Sequence, residues 1–487
     1  MSNRSKIQEL IDTGKLEIIG ILAPVRTSST IITRCFSEHP DIHGCCVQPY
    51  HLPYQKFQTL PYDRRETAFS RILDSYNQAQ LQQHSGKTRI VLKEMLRNLT
   101  IRDVLEDWNS IVSSTFITAR NPLLSIESLI ALNLKHFLEA MPEGYTNYAR
   151  KFLKEQDSLI SENSSQGFLN AFALRNKFKD SSDAKQHFRK MVDTCCADRE
   201  YHLFGELLEE FESFEDLNNR ILEVNINFVH SMSDDFAIAY GLECLDDYAI
   251  SQGAKSWDSL KEYTVNSLNF KSVAPLMRIV YSTNITGWMN AGILSQYLKR
   301  YSVIDASLFC ANPKLTLRRG CEFAGLDIDG IDNMISFRNQ TDDLLPVFLE
   351  QEYRPSLSKA YNSTALHFPS RSPISLENLP DFLAEHIKAV ALSAYVRLIS
   401  HEGAIRPNSK QDLELILGSN SKKDLNLGLI DPVLAYSLAA TASELDASYR
   451  QMKLNDIREK GGAQFLEVFN TIDDTIGAVP LNKYSIG

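Results

Sequence analysis

Two short polar stretches carry the residue types that hold anions. The first is Arg26-Thr27-Ser28-Ser29-Thr30, one permanent cation followed by four hydroxyls. A guanidinium offers a planar fork of donors matched to phosphate or sulfate oxygens, and hydroxyls add more donors. The second is Arg120-Asn121-Pro122, with Ser125 and Ser128 downstream. Ser128 stands eight residues past Arg120; on a helix opening after the arginine, it can face the same crevice. Each stretch also has a plainer reading. The first is equally a Ser/Thr helix cap beside a surface arginine, and the second an arginine paired to a carboxylate with Ser128 as a packing residue. Two further groups can contact an anion or move a proton: Lys93, in Val91-Leu92-Lys93-Glu94-Met95, and His51, in Gln48-Pro49-Tyr50-His51. For Lys93 the plainer reading is a strand-end lysine paired with Glu94 or solvated, and for His51 a structural histidine among aromatics.

The elements around these residues alternate between strand and helix. Residues 16–23, Leu-Glu-Ile-Ile-Gly-Ile-Leu-Ala, form a compact apolar run that reads as a buried strand ended by Pro24. From Ser29, the spacing of Ile31, Ile32, Cys35 and Phe36 predicts a helix that stops at His39-Pro40. Strands are expected over 41–47, 89–93, 111–119 and 301–305, with helices over 64–83 and 100–107 and one beginning after Arg120. Asn312-Pro313 predicts a helix start, Asn suiting the N-cap and Pro the first turn, and Gly325 predicts its end. Strands alternating with helices imply a three-layer α/β/α fold with a mainly parallel sheet. The first anion stretch then lies between a strand and a helix, where free backbone N–H groups and the positive end of the helix dipole meet.

Three segments follow from this reading: an α/β core over 1–139 and 266–345, a helical insertion over 140–265, and a helical C-terminal region over 346–487. In the last, 379–402 and 430–454 have helical spacing. The insertion is the expected acceptor-side region, because binding residues gather on segments appended to a rigid scaffold.

Composition narrows the function classes. The 487 residues hold 51 Lys plus Arg against 61 Asp plus Glu, a net charge of −10. Such a balance gives no global attraction for nucleic acid or an acidic membrane, although a local pocket can still bind a small anion. Hydrophobic residues at 43% and charged residues at 23% match a folded globular chain. The eight cysteines form no C-x-x-C and read as reduced, without a zinc site. No apolar run has signal-peptide or membrane-span length, so a cytoplasmic location is expected, and N-x-[ST] triplets such as those at Asn98, Asn284 and Asn362 are chance matches. The echo of a triphosphate loop at Ser85-Gly86-Lys87-Thr88 has Leu81 in place of its first glycine and precedes a strand, so a kinase or triphosphatase is disfavoured.

Together these stretches resemble the sulfotransferase superfamily, whose members use 3′-phosphoadenosine 5′-phosphosulfate as sulfuryl donor on a P-loop-like sheet related to that of nucleotide kinases. The family's first loop reads Pro-Arg/Lys-Ser-Gly-Ser/Thr-Thr after a strand, and Val25-Arg26-Thr27-Ser28-Ser29-Thr30 stands in that register. Ser37-Glu38-His39-Pro40-Asp41-Ile42 looks like the family's helix exit. The family's 3′-phosphate site, Arg-Asp-Pro with a serine eight residues after the arginine, is similar to Arg120-Asn121-Pro122 with Ser128. A third match runs from Val303-Ile304-Asp305-Ala306 through Asn312-Pro313 to Gly325-Leu326. The resemblance covers 16–130 and 275–340.

The resemblance implies the nucleotide as co-substrate, no metal, and a small-molecule or peptide acceptor presenting a hydroxyl or amine. Arg26, Thr27, Ser28, Ser29 and Thr30 would hold the 5′-phosphosulfate, and Arg120 and Ser128 the 3′-phosphate. Arg26 would also stabilise the charge on the departing bridging oxygen. This chain departs from the family at Val25 and Ser28, where proline and glycine are usual, and at Asn121, where aspartate is usual. It also has Gln48 where many relatives carry a glutamate that deprotonates the acceptor. An amide cannot act as that base, so His51, whose ordinary pKa lies near neutrality, is the candidate, with Lys93 available to contact donor or acceptor. Tyr50, Tyr54 and Phe57 either wall the acceptor pocket or form an aromatic cluster of the core. A relative that binds nucleotide or a protein partner without turnover is the alternative.

Overall fold

The computed structural model describes residues 2–50, 62–125, 291–337, 391–417 and 431–477, apart from a few positions within those spans, together with Lys179. The expected insertion apart from Lys179, residues 346–390 and 418–430, His51, Tyr54, Phe57 and Ser128 lie outside the described residues.

The apolar run at 16–23 forms β1 (Leu16–Ala23), preceded by α1 (Asn3–Asp12), which the sequence pattern did not announce and which Ser2 caps by accepting from the Ser5 N–H. Then follow α2 (Ser29–Ser37), β2 (Gly44–Val47), α3 (Tyr62–Gln82), β3 (Thr88–Met95), α4 (Arg102–Ile111), β4 (Ser114–Ala119) and β5 (Tyr301–Asp305). Among the described residues the four strand pairings are all parallel, in the order β2-β3-β1-β4-β5. The expected α/β class with a parallel sheet therefore holds.

Two strands start later than their hydrophobicity suggests. Residues 41–43 are bound up in turn contacts: the Ile42 N–H donates to the His39 carbonyl, and His43 exchanges bonds with Arg89 through its N–H and its Nδ1. Ile111 belongs to α4, and the Val112 N–H still donates to the Trp108 carbonyl, so β4 begins only at Ser114.

Helices cover both faces of the sheet, and consecutive residues of β4 show the division. Thr115 accepts from the Trp108 indole N–H of α4, while Phe116 points the other way, its ring 4.9 Å from Phe36 of α2. On the α4 side Gly20 of β1 lies beneath Trp108, where a Cβ would come within 2.3 Å of the indole, so only glycine fits. Buried Asp107 of α4 accepts from Arg65 of α3 and pairs with Arg4 of α1, tying these helices together.

The opposite layer is completed by the late segment: α5 (Ala306–Ala311), α6 (Pro313–Ala324) and α7 (Ile331–Ser336). The Asn312 cap, Pro313 start and Gly325 stop of α6 stand where the sequence predicts. Gly320 lets α6 approach Phe36, and Gly330 packs under His39, where a Cβ would sit 2.5 Å from Nε2. His39 Nδ1 accepts from the Asp41 N–H, so Nε2 carries the proton and donates to the Asp327 carbonyl at 2.6 Å. The exit of α2 is thereby locked to a segment nearly 300 positions away in sequence.

The described parts of the C-terminal region hold helices, and the run expected over 430–454 divides at Ala442. Its helices are α8 (Ser393–Ser400), α9 (Lys410–Leu417), α10 (Pro432–Thr441), α11 (Ala447–Gly461) and α12 (Leu466–Gly477). Residues 432–439 of α10 are buried all round, as befits a helix that its neighbours enclose. This region docks on the free edge of the sheet. The Ile405 N–H donates to the Val303 carbonyl at 2.8 Å, Ser302 donates to the Gly403 carbonyl, and the His401 ring stacks on Tyr301. Covering β5 in this way removes an exposed strand edge.

Candidate functional site

β1 lies at the centre of the sheet, and the connections leaving β1 and β4 run to opposite sides. The crevice above their carboxyl ends is thus the topological switch point, where open parallel sheets bind ligands. The two anion stretches of the sequence are the loops that flank it. Arg120 Nη1 donates to the Arg26 carbonyl at 3.4 Å, so residues 94 positions apart meet there.

The loop after β1 is wound tightly. Arg26 and Ser28 have φ of 64° and 62°, left-handed values that favour glycine, while Thr27 between them does not share that conformation. Such alternation turns successive backbone N–H groups toward one concavity, an arrangement suited to an anion. Ser28 caps α2 from this left-handed conformation with no side-chain cap bond, so its hydroxyl is not directed at the first-turn N–H groups of the helix. A residue without a Cβ would take this conformation without strain, and Ser28 holds it at a steric cost. Ser28→Gly is therefore expected to raise stability by up to about 1 kcal/mol, the relief of the left-handed strain exceeding glycine's added chain entropy. Urea unfolding checks it; a clear loss of stability would contradict the conformation at 28.

Thr27 plays a different part from the one its hydroxyl suggests. It is buried, and its Oγ1 donates to the Pro24 carbonyl at 2.9 Å. Its single hydroxyl proton being committed there, the 2.6 Å contact with Thr118 of β4 has Thr118 as donor. The side chain fastens the loop to β4, and only the Thr27 backbone N–H remains to face a ligand.

From the other side comes Lys93 of β3. It is only 3% exposed, and its Nζ donates to Thr30 Oγ1 at 3.0 Å, reaching the first turn of α2. Burial lowers its pKa to about 8; the Glu94 charge opposes that shift and the Arg26 charge adds to it. The simple reading of Lys93 as a solvated strand end, or as bonded to Glu94, does not hold. Glu94 instead accepts from the Tyr50 and Met95 N–H groups, anchoring the chain that leaves β2. Gln48, with φ of 52°, starts that chain, its N–H bonded to the Lys93 carbonyl at 2.6 Å.

Tyr50 belongs to the core and not to an acceptor wall: it is buried, with its ring edge-on to Phe69 at 6.3 Å. Burial, with Asp107 and Glu94 nearby, pushes its phenol well above the usual range.

Asn121 is buried and does two things at once. Its Oδ1 accepts from the Leu123 N–H, capping the helix that opens at Pro122, and its Nδ2 donates to Asp431 Oδ1 of the C-terminal region at 2.7 Å. An aspartate at 121 would instead oppose Asp431 charge to charge. Asp431 is a functional neighbour the sequence did not reveal. Asp431-Pro432 reads as a helix start in the same way as Asn312-Pro313, but nothing local shows which strand end it meets.

Cys35, Cys45, Cys46, Cys310 and Cys321 are free thiols. Among the described residues no group of three or more His, Cys, Asp or Glu side chains gathers into a metal-binding cluster, and no helix is long and apolar enough to cross a membrane. No family model, curated protein or solved structure matches this chain at a significant level.

Proposed function

We propose that the protein is a sulfotransferase that moves a sulfuryl group from 3′-phosphoadenosine 5′-phosphosulfate to a hydroxyl or amine of a small-molecule or peptide acceptor. The observation that carries this reading is the convergence of three cations on one crevice. Arg26 and Arg120 flank the switch point with the Arg120 guanidinium on the Arg26 carbonyl, and Lys93 reaches the first turn of α2 from β3. The strand order, with β1 central and its loop leading straight into α2, supports a sheet of the nucleotide-kinase type, and hence the finer sulfotransferase fold.

In this reading Ser29 and Thr30, with the backbone N–H groups of residues 27–30, hold the 5′ end of the donor, and Arg120 holds the 3′-phosphate, with Ser128 as its expected partner. Lys93 and Arg26 stabilise charge as it develops on the oxygen that leaves sulfur. The acceptor oxygen or nitrogen forms the new bond to sulfur, the bond to the phosphate oxygen breaks, and the acceptor's proton passes to a base, for which His51 is the candidate. In this reading no step calls on a metal, Arg26, Arg120 and Lys93 supplying the cationic contacts to the anionic donor.

A second reading, a nucleotide-binding relative without turnover, draws on Gln48 in place of a basic carboxylate and on Tyr50 being buried in the core. One assay separates the two. Transfer from a sulfur-labelled donor to a panel of phenols, alcohols and amines supports the first reading, with Arg26→Ala expected to lower the rate about 100-fold at saturating donor. Tight donor binding with no transfer to any acceptor favours the second.

A further inference from the structure

Four buried polar residues form a chain across the carboxyl ends of β4 and β5. Asn121 Nδ2 donates to Asp431 Oδ1, the Tyr395 hydroxyl lies 2.9 Å from Asp431 Oδ2, and the same hydroxyl lies 2.8 Å from Asp305 Oδ2. The other oxygens are already satisfied. Asp305 Oδ1 accepts from the Ser307 and Leu308 N–H groups, capping α5, and Asp431 Oδ1 also accepts from Val433 N–H, capping α10.

Counting protons gives the consequence. A tyrosine hydroxyl has one hydrogen, so it can donate to one carboxylate only. The contact to the second carboxyl oxygen is a hydrogen bond only if that carboxyl brings its own proton. With both ionised, two buried charges would face each other across a single oxygen, which a low-dielectric interior penalises strongly. We propose that Asp305, Tyr395 and Asp431 share one extra proton and act as positioning residues, through which the C-terminal helices hold Asn121 and so present Arg120 to its anion. Affinity at Arg120 then falls when the shared proton is lost.

The surroundings agree with a proton held near neutrality. Burial, reinforced by the Asp431 charge, raises the Asp305 pKa to about 7, and Asp431 is raised as well, again chiefly by burial. Among the described residues, few titratable or charged groups face the cluster. From α5 comes Cys310, its thiol pushed up to about 12 by burial and so neutral; from the β4 loop comes Arg120; Asn121 carries no charge. Arg120 and Asp305 both act on the Cys310 thiol, so the cluster and the anion-site arginine share one neighbourhood. His401 and Glu402, also from the C-terminal region, lie beside Tyr301 at the opposite end of β5.

Asp305→Asn is the decisive variant, because its amide supplies the missing hydrogen without a proton; Asp431→Asn does the same from the other side should the first fail to fold. Difference infrared spectroscopy of the full chain reads the protonated carboxyl directly. A band present near pH 6, lost by about pH 8.5 and absent in Asp305→Asn is expected; a wild type without the band, or a variant that keeps it, overturns the proton count. The affinity half rests on the nucleotide reading above. Titration with 3′-phosphoadenosine 5′-phosphate at the same two pH values is expected to show the wild-type to Asp305→Asn affinity ratio falling about tenfold as pH rises. The ratio cancels the titration of the ligand and of Lys93, and a constant ratio overturns the positioning role. If neither protein binds the nucleotide at either pH, the nucleotide reading and the affinity half both fail, while the infrared band still decides the proton cluster.

Discussion

Arg120→Ala is expected to weaken binding of 3′-phosphoadenosine 5′-phosphate by about 10- to 150-fold, the ~1.5–3 kcal/mol of a charge-assisted contact, while affinity for adenosine 5′-phosphate changes little. The asymmetry is the informative part. In the proposed site Arg120 meets only the 3′-phosphate, whereas the 5′ end lies on the loop after β1. Arg120 also bonds to the Arg26 carbonyl, so its removal could loosen that loop and weaken both ligands. Arg120→Lys controls for this: it keeps the charge but loses the fork, and an intermediate affinity for the 3′-phosphorylated ligand alone is expected. Equal losses for both nucleotides would place Arg120 in the loop's support and not at a phosphate. Calorimetric titration of the three proteins with the two nucleotides measures this.

Lys93→Met is expected to move stability and function in opposite directions. The amine is almost wholly buried and its pKa has fallen from 10.5 to about 8, so at neutral pH the folded protein carries a desolvated charge it holds less readily than the unfolded chain does. Replacing it with an apolar side chain of similar length should raise stability by on the order of 2–3 kcal/mol. Transfer, which in the proposed mechanism uses that charge beside Thr30, should fall about 100-fold or more. The sign of the pH dependence follows from the lowered pKa. Between about pH 8 and 10.5 the unfolded chain keeps a proton that the folded lysine has lost, so wild-type stability gains as pH rises through that window, and the Met variant lacks this gain. Anion affinity runs the other way, falling in the wild type above about pH 8 as the charge is lost. A Met variant that is both less stable and fully active would make Lys93 a structural residue. Urea unfolding across pH, with transfer rates on the same samples, decides.

Much of the site's frame was legible in sequence because it depends on local patterns. The apolar run of β1, the turn residues after it, the Asn312-Pro313 start and the Gly325 stop each follow from backbone preferences within a few positions. So do the two arginine loops, whose meeting is implied once their strands are neighbours in a parallel sheet. What the sequence hid is what depends on distant partners. The burial of Thr27 and its bond to Thr118 reassign its hydroxyl. Lys93 bonds forward to α2 and not to the adjacent Glu94, because neighbours on a strand face opposite sides. Asn121 reads in sequence as a weakened motif, and its partner Asp431 lies 310 positions later. The same distance conceals the shared proton: Asp305, Tyr395 and Asp431 carry no spacing that marks them as a cluster. His51 and Ser128 lie outside the described residues, so their roles as base and as 3′-phosphate partner rest on the sequence reading.

In the proposed function the crevice between the loops of β1 and β4 is built for a nucleotide carrying a 3′-phosphate. Calorimetric titration of the unmodified protein with 3′-phosphoadenosine 5′-phosphate, beside adenosine 5′-phosphate as the ligand lacking that group, tests it most directly. A preference of about tenfold or more for the 3′-phosphorylated nucleotide is the predicted result. Equal affinity for the two, or binding of neither, would contradict the account and leave only a parallel α/β sheet with cationic loops at its switch point.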